Sequence, residues 1–400
     1  SGGDVRIGTQ AGPENTRGML QIYNVGSEFT YTGGTLAIEN HQSTPSIAAL
    51  YLDPDVSDVT GTIDIFGANT QAGQTNFGIN STIPLAGVVF NDDNGNSPSA
   101  FIDTNPLTIE GDVFINSNAS FNGNGITLTL EGDFENNGSF DAQGNEVIFS
   151  TETTQELRGS GTNNFFRFTK NGIGSLDLAN AIEINDLFTI SDGSLNDNGN
   201  TITLNSDAVI DGEHSSSGGE GLLFAGAANQ ELRRSASGTG VLGVVTIRNS
   251  NDVTIPAGNG YNFNFNGNLR LDGGNFEIGG SNILFGQSAD IVALQPFSVS
   301  NMIKTNSSFA DKGVGKTFAA GTNIDFTFPL GQTYYTPIQL DLSTGGNTSG
   351  STVGTLFVSP ANEFHPTVND GDDTFGSGDI NNVLQYYWTL TAEGINNFSS

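Results

Sequence analysis

Acidic turns hold the residue types best suited to binding a metal ion. Calcium is a hard cation that takes several oxygen ligands, and turns rich in Asp and Asn supply such oxygens. The candidate ligands in two of these turns are Asp92, Asp93, Asn94, Asp370, Asp372 and Asp373, and a third group is Asp53, Asp55 and Asp58. None of the three groups has the alternating ligands and terminal Glu of a calcium-binding loop. Calcium is therefore the one cofactor that the sequence suggests, and solvated acidic turns are the alternative that it favours.

Cleavage of an acidic polysaccharide is the enzymatic activity that must be considered for this sequence. It needs clustered carboxylates, usually with a histidine, or a basic residue above bound calcium. Asp372-Asp373 is a carboxylate pair and Arg233-Arg234 is the one adjacent basic pair, but Arg158 repeats the position of Arg233. The three histidines are far apart in sequence and have polar neighbours typical of exposed loops: His41, His214 and His365. The sequence therefore predicts no catalytic site and no enzymatic activity.

Glycine and asparagine dominate the composition, and they determine which elements can position these residues. The 400-residue chain has 54 Gly and 46 Asn, which are poor helix formers and favour turns. Its 28 Phe and its 35% apolar fraction supply enough hydrophobic surface for a core, which excludes disorder. We therefore predict an all-β chain of many short strands and many turns.

The charge balance excludes several classes of partner. Lys and Arg total 12 against 43 Asp and Glu, a formal net charge of −31, which repels phosphate backbones and anionic lipid headgroups. The chain has no Cys, so disulfides and thiolate chemistry are excluded. It also has no run of apolar residues long enough for a transmembrane helix. We expect no nucleic-acid partner and no membrane insertion of this segment.

Internal repeats are the strongest indication of architecture. Glu110-Gly111-Asp112 recurs as Glu131-Gly132-Asp133, an offset of about 21 residues, which is the length of one coil of a β-solenoid. Gln155-Glu156-Leu157-Arg158 recurs as Gln230-Glu231-Leu232-Arg233. A third repeat is a Gly-x-apolar segment that is followed, always at the same distance, by Val or Ile. It occurs three times, at residues 138–147, 193–202 and 274–283.

These repeats predict a parallel β-helix, or β-solenoid, over residues 1–295, with the first 100 residues matching less clearly. Inward Ile, Leu, Val and Phe would stack between coils, and Asn and Gly would form the corners. Strands such as Phe263-Asn264-Phe265 alternate apolar and polar residues, and their Phe residues are expected in the core rather than in a sugar-stacking strip with Tyr261. A string of antiparallel β-sandwiches is the competing all-β interpretation.

The composition changes after residue 295, where half of the Tyr and the only Trp are concentrated. Pro329 and Pro337 suit strand ends or edges. We predict a β-sandwich domain over residues 296–400 that caps the solenoid and is truncated at its C-terminal end. Both ends of the chain are consistent with cuts in a longer polypeptide.

The motifs give the chain a specific resemblance. Its Asn- and Gly-rich coils with the Gln-Glu-Leu segment, then Phe328-Pro329-Leu330-Gly331 and Tyr386-Tyr387-Trp388, resemble the large surface and secreted proteins of Bacteroidetes. The resemblance covers most of residues 100–395. It implies export by the type IX secretion machinery, an extracellular or outer-membrane-associated cell-surface location, and a role in attachment or gliding motility. The sorting domain of that group does not occur in this sequence.

The expected function is that of a non-enzymatic adhesin or stalk protein. A rigid acidic rod would hold binding loops away from the cell, and its ligand would be an extracellular or cell-surface glycan or protein. The alternative is a secreted carbohydrate-active β-helix protein, either a polysaccharide lyase or hydrolase or a glycan-binding module.

Overall fold

The chain is all-β, as predicted. The computed structural model describes residues 5–7, 19–39, 48–66, 76–92, 95–256, 262–305, 312–320, 324–341, 353–365 and 385–395. These residues form 42 strands and no helix, and they offer no helical segment that could span a membrane. The chain divides into two compact units, Ser1–Ile202 and Thr203–Ser400, which are described separately below.

The first unit contains strands β1 to β22. Their bounds are β1 Val5–Ile7, β2 Leu20–Ile22, β3 Glu28–Tyr31, β4 Thr35–Ile38, β5 Leu50–Leu52, β6 Val56–Val59, β7 Thr62–Ile65, β8 Asn76–Ser81, β9 Gly87–Phe90, β10 Ser99–Ile102, β11 Leu107–Ile109, β12 Val113–Ile115, β13 Ser120–Asn122, β14 Leu128–Leu130, β15 Phe134–Asn136, β16 Ser139–Asp141, β17 Glu146–Ser150, β18 Thr154–Arg158, β19 Thr162–Asn171, β20 Ser175–Leu178, β21 Ile182–Ile190 and β22 Ser194–Asn196.

Strand β23 begins at the last residue of the first unit, and the strands after it belong to the second. Their bounds are β23 Ile202–Leu204, β24 Asp207–Ile210, β25 Glu213–Ser215, β26 Leu222–Phe224, β27 Gln230–Arg233, β28 Val241–Leu242, β29 Val245–Ile247, β30 Val253–Thr254, β31 Phe263–Phe265, β32 Leu269–Leu271, β33 Phe276–Gly279, β34 Ile283–Phe285, β35 Ile291–Val292, β36 Ile303–Thr305, β37 Val314–Phe318, β38 Asp325–Phe328, β39 Leu330–Gly331, β40 Ile338–Asp341, β41 Gly354–Ala361 and β42 Tyr387–Glu393.

Parallel ladders connect successive coils within each unit. In the first unit one ladder has the order β1-β4-β7-β9-β12-β15-β18-β20-β22, and β11-β14-β17-β19 forms another. In the second unit the ladders include β24-β27-β30-β33-β36-β39 and β26-β29-β32-β35. Counted over both units, the solenoid has about 11 turns. The predicted β-solenoid is thus confirmed.

The register of these ladders explains the repeats. Val113 pairs with Phe134 and Leu107 with Leu128, at the same offset as the Glu-Gly-Asp repeat, so that repeat is one coil. The Gly-x-apolar repeat is a strand, a corner and a second strand, as in β16 followed by β17. The corner after β16 contains Gly144 at a φ of 86°, and the equivalent corner after β13 contains Asn124 at 53°. Asn and Gly tolerate this left-handed conformation, which is why they are common at corners.

Alternate side chains of each strand fill the core. In β17, Val147 and Phe149 are buried while the residues between them are partly exposed. Phe rings stack from coil to coil, with Phe90 and Phe121 at 4.5 Å and Phe149 and Phe168 at 4.8 Å between ring centroids. Both Phe residues of β31 are also fully buried, which confirms the prediction that they belong to the core.

The second unit ends differently from the prediction. A separate β-sandwich over residues 296–400 is not confirmed, because β36 and β37 extend the parallel ladders from β33 and β34. Antiparallel pairing between strands follows, in β37-β41-β42 and in β38-β40. The residues of β41 from Leu356 to Ala361 are all buried, so this strand covers the last parallel coil that the structure describes.

Candidate functional site

The predicted calcium ligands lie mostly outside the described residues. Asp93, Asn94, Asp370, Asp372 and Asp373 belong to that part of the chain. Asp92 is described. Its Oδ1 accepts a hydrogen bond from the Asn96 backbone N–H at 2.8 Å, and its buried Oδ2 has no partner among the described residues. Within the described ranges no three Asp, Glu or His side chains group as metal ligands. The calcium site stays a prediction.

The carboxylates of the third acidic group bind neighbouring coils. Asp53 Oδ1 accepts a hydrogen bond from Thr82 Oγ1 at 2.7 Å, and Asp55 Oδ2 accepts one from the Gly26 backbone N–H. Both partners lie one coil away along the chain. Asp58 is exposed on β6. Two of the three carboxylates therefore fasten one coil to the next.

The position predicted for His214 is wrong. This residue is fully buried in β25, where the exposed Glu213 precedes it, and its Nδ1 accepts a hydrogen bond from the Gly243 backbone N–H at 3.2 Å. His365 is partly buried, with its ring 4.9 Å from that of Tyr387, and His41 lies outside the described residues. In a strand, alternate residues point to opposite faces, so the middle residue of the Glu-His-Ser segment points inward. This alternation could have predicted the burial of His214, but its polar neighbours suggested an exposed loop instead.

The Gln-Glu-Leu-Arg repeat binds coils together. Gln155 Nε2 donates to the backbone carbonyls of Leu130 at 3.0 Å and of Gly132, and Gln230 Nε2 donates in the same way to Leu204 at 2.9 Å and Ser206 at 2.5 Å. Both side chains are 1% exposed. The backbone N–H groups of the following Glu residues donate to aspartates one coil away. The repeat therefore reproduces one coil-joining motif in each unit.

Arginine residues of this repeat form ion pairs on the outer surface. Arg158 contacts Asp133 at 2.8 Å, Glu135 at 2.9 Å and Glu156 at 2.7 Å, and these hydrogen bonds raise the pKa of its guanidinium above the usual value. Arg233 pairs in the same way with two carboxylates of its own unit. This confirms the expectation that both arginines occupy solvated coil positions.

Two lysines are buried at coil corners. Lys170 Nζ donates to the carbonyls of Asn171 at 2.7 Å and Gly172 at 2.8 Å. Lys316 Nζ donates to three carbonyls of one corner, those of residues 286, 287 and 289, at 2.5–3.0 Å. Burial lowers the pKa of both ammonium groups. The two side chains satisfy turn carbonyls that a strand ladder leaves unpaired.

One concave feature of the second unit is a polar groove of about 530 Å³. We call it the polar groove. Its lining residues are Thr254, Ile255, Glu277, Gly279, Lys304, Thr305, Gln332, Thr333 and Asn362. Three of them are paired in register on adjacent strands, because Thr254 of β30 faces Glu277 of β33 and Glu277 faces Lys304 of β36. The groove is thus built from one outward position on successive coils.

A charged cluster borders the polar groove. Lys304 Nζ lies 2.7 Å from Asp252 Oδ2 and 2.9 Å from Glu277 Oε1. Burial raises the pKa of the Asp252 carboxyl, but hydrogen bonds from Lys304 and Asn275 outweigh burial and hold that pKa below its usual value. Burial lowers the pKa of Lys304, and its two carboxylate partners outweigh burial and raise it. The ammonium therefore stays charged and stays paired.

A second concavity of about 300 Å³ lies elsewhere in this unit. Arg270, which lines it, donates to the Gly219 carbonyl at 3.3 Å and lies 3.5 Å from Asp272. The Asp272 side chain is 1% exposed, and it also accepts a hydrogen bond from Arg248. This concavity is also the smaller of the two, so we take the polar groove as the candidate site.

Comparison with known proteins identifies no relative, since no protein-family model, curated protein or solved structure matches the chain. The site must therefore be interpreted from its own chemistry. Hydroxyl, amide, carboxylate and ammonium groups converge on the polar groove. Such a set can donate to and accept from a ligand that carries several hydroxyl groups.

Proposed function

We propose that the chain is a non-enzymatic structural and adhesive segment of an extracellular or cell-surface protein. One observation carries this proposal: buried polar side chains are used to bind the neighbouring coil. Gln155 and Gln230 bridge to backbone carbonyls one coil away, and Lys316 fastens a corner of the preceding coil. These contacts add cohesion between coils, which is what a load-bearing scaffold requires.

The use of positive charge supports the same role. Every Lys and Arg whose side chain the structure describes donates to a carboxylate or to a backbone carbonyl. These residues are Arg158, Arg167, Lys170, Arg233, Arg234, Arg248, Arg270, Lys304, Lys312 and Lys316. A surface with a net charge of −31 resists self-association and keeps an exposed protein soluble.

The resemblance to Bacteroidetes surface proteins supports an extracellular location and export by the type IX machinery. We also propose that the aromatic-rich C-terminal region works as a cap. There β41 and β42 turn a parallel ladder into an antiparallel one, so that β37, the last parallel strand of this ladder, is paired on its outer side.

Surface labelling of intact cells that produce the protein tests this proposal, together with an assay of the purified chain for new reducing ends or unsaturated uronates. We expect antibody labelling without permeabilisation, and no turnover on acidic or neutral polysaccharides. A cytoplasmic protein labelled in parallel controls for lysis. Labelling that requires permeabilisation, or turnover above the enzyme-free blank, would overturn the proposal.

A further inference from the structure

The polar groove combines extended length with neutral polar chemistry. Its register continues from Lys304 to Gly331 of β39, and Gln332 and Thr333, directly after β39, also line it. The groove therefore extends along β30, β33 and β36 to the end of β39. Because neighbouring strands are about 4.8 Å apart, three steps between them cover roughly 14 Å. This length suits an extended ligand better than a single small ion. The volume of about 530 Å³ is within the range of small-molecule sites.

The charges at the polar groove disfavour an acidic ligand. Among the described residues that line it, Lys304 is the one cation, and it is bound by both Asp252 and Glu277, so these three groups together carry a net negative charge. The other polar lining groups are hydroxyls and amides, from Thr254, Gln332 and residues 333 and 362. A ligand with many hydroxyl groups and no charge would match them.

Two features indicate that the polar groove is built to receive a ligand. Thr305, which lines it, is 5% exposed, and its Oγ1 has no hydrogen-bond partner among the described residues. A buried polar atom without a partner calls for one. At Gly279 a β-bulge interrupts the pairing with β36, and a Cβ built there would meet only the Ile255 carbonyl, at 3.9 Å. Glycine therefore keeps this part of the groove open.

An exposed aromatic ring follows the lining residues in sequence. Tyr334 comes directly after Thr333, in a short loop closed by the bridge between Gly331 and Tyr335, and it is 72% exposed. An aromatic ring can stack on the apolar face of a sugar ring while its hydroxyl stays in water.

We propose that the polar groove of the second unit binds a neutral oligosaccharide. Glu277, Thr305 and Gln332 provide its hydrogen-bond partners, and Tyr334 provides a stacking surface at one end. This inference rests on the proposed adhesive function, to which it assigns a ligand class. It is independent of catalysis, because the ligand is held and not cleaved.

Calorimetric titration of the full chain tests this site with defined probes. The neutral probes are the hexasaccharides of cellulose, xylan, mannan and laminarin, and the acidic probe is an oligogalacturonate. We expect saturable binding of at least one neutral probe and weaker binding of the oligogalacturonate. Binding of the oligogalacturonate at least as tight as that of the best neutral probe, or no binding of any neutral probe, would overturn the inference.

Variants locate the binding. Asn tolerates the φ of +56° at Gly279, so Gly279→Asn is expected to fold and to fill the polar groove, weakening binding about tenfold or more. Its matched control is Gly144→Asn, a corner glycine at +86° whose Cβ would meet open space. Tyr334→Ala should weaken binding without changing the melting temperature, since the ring is exposed. Unchanged affinity in both Gly279→Asn and Tyr334→Ala would place the ligand elsewhere and refute the assignment.

The same variants separate this inference from the proposed function. If Gly279→Asn loses the oligosaccharide while surface labelling of cells persists, both proposals stand. If no neutral probe binds but the protein is still displayed on intact cells, only the ligand assignment fails. Release of reducing ends from a bound probe would instead overturn the non-enzymatic function.

Discussion

At the residue scale, buried polar side chains form hydrogen bonds with the backbone of the adjacent coil. Gln155 and Gln230 show this twice, with an equivalent pair of carbonyl acceptors in each unit. The sequence reveals the repeat itself, because the same run of residue types recurs. It does not reveal that the Gln side chain points inward, since glutamine is most often exposed. Only the alternation with Leu157 and Leu232 carries that information.

Replacing one of these glutamines should destabilise its unit. In Gln155→Ala, the carbonyls of Leu130 and Gly132 lose their buried partner, which costs about 1–3 kcal/mol of unfolding free energy. Denaturant titration followed by circular dichroism measures the loss. Gln295→Ala, at an exposed side chain, is the control and should change stability little. Equal effects of the two substitutions would contradict the proposed coil-joining role.

Asp252 should make the protein sensitive to acid. The pKa of Asp252 is below the usual 3.8, so the carboxyl binds a proton less readily in the folded state than in the unfolded state. Its contribution to the stability of the fold is therefore fully present above pH 3.8. That stability is lost as the pH falls through the lower folded-state value. We expect Asp252→Asn to lower the melting temperature at neutral pH, and the difference from the native chain to shrink below pH 3.8. Asn tolerates the φ of +69° at this position, so the backbone is preserved.

Thermal scans from neutral to acid pH check this prediction. Asp58→Asn, which removes a carboxylate at an exposed position of β6, is the control. A difference between Asp252→Asn and the native chain that stays constant through the acid range would show that charge at Asp252 does not matter.

The residues of the polar groove could not be found from the sequence. Thr254, Glu277 and Lys304 come from three successive coils and carry no shared motif. Their proximity depends on the length of each intervening corner, which is set by long-range pairing. The role of Thr305 depends on its burial and that of Gly279 on a bulge in the strand pairing, and neither feature is visible in the sequence.

At the scale of the elements, strand identity was predictable and coil length was not. Alternating segments such as Thr62–Ile65 and Phe263–Phe265 are strands in the structure, because inward positions must be apolar. Coil length varies: Ser120 pairs with Ser139, whereas Ile283 pairs with Val314 across a much longer stretch of chain. Insertions at corners cost little free energy, so the coils differ in length and the sequence shows no single repeat length.

Glycines between the strands set how closely coils approach. A Cβ at Gly111 would lie 1.6 Å from the Ala86 carbonyl oxygen, a backbone atom of the neighbouring coil. Gly111→Ala must therefore separate two coils, and we expect it to cost about 1–3 kcal/mol or more of unfolding free energy. Denaturant titration measures the effect.

The matched control for this substitution is Gly286→Ala, where the nearest atom would be 3.3 Å from the new Cβ. That atom would have to move by only a few tenths of an ångström to accept the new Cβ. If Gly111→Ala proved as stable as Gly286→Ala, the close approach of the coils at Gly111 would be refuted.

At the scale of the whole molecule, the all-β class and the solenoid followed from composition and repeats, and the predicted β-sandwich is not confirmed. Aromatic residues and prolines after residue 295 indicated a change of structure. The change is a switch from parallel to antiparallel pairing at β37 and β41. Local sequence cannot specify that switch, because paired residues such as Val314 and Val358 are far apart along the chain.

Added salt should stabilise the protein. The formal charge of −31 makes repulsion between carboxylates the main electrostatic effect, and the exposed ion pairs contribute little. Raising sodium chloride from about 0.05 M to about 0.5 M shortens the screening length, so the melting temperature should rise by several degrees. Potassium chloride should act alike, since ionic strength is the cause. A melting temperature that falls with both salts would mean that ion pairs dominate.

The parallel ladders also govern how the protein loses its structure. Within each unit a strand such as β14 pairs with β11 before it and with β17 after it, so each coil is stabilised mainly by its nearest neighbours. Such a chain behaves as a one-dimensional cooperative system, in which a weakened coil opens a local segment while distant coils stay native. Hydrogen exchange should therefore map each destabilising substitution to a few adjacent coils, and proteolysis should cut there first.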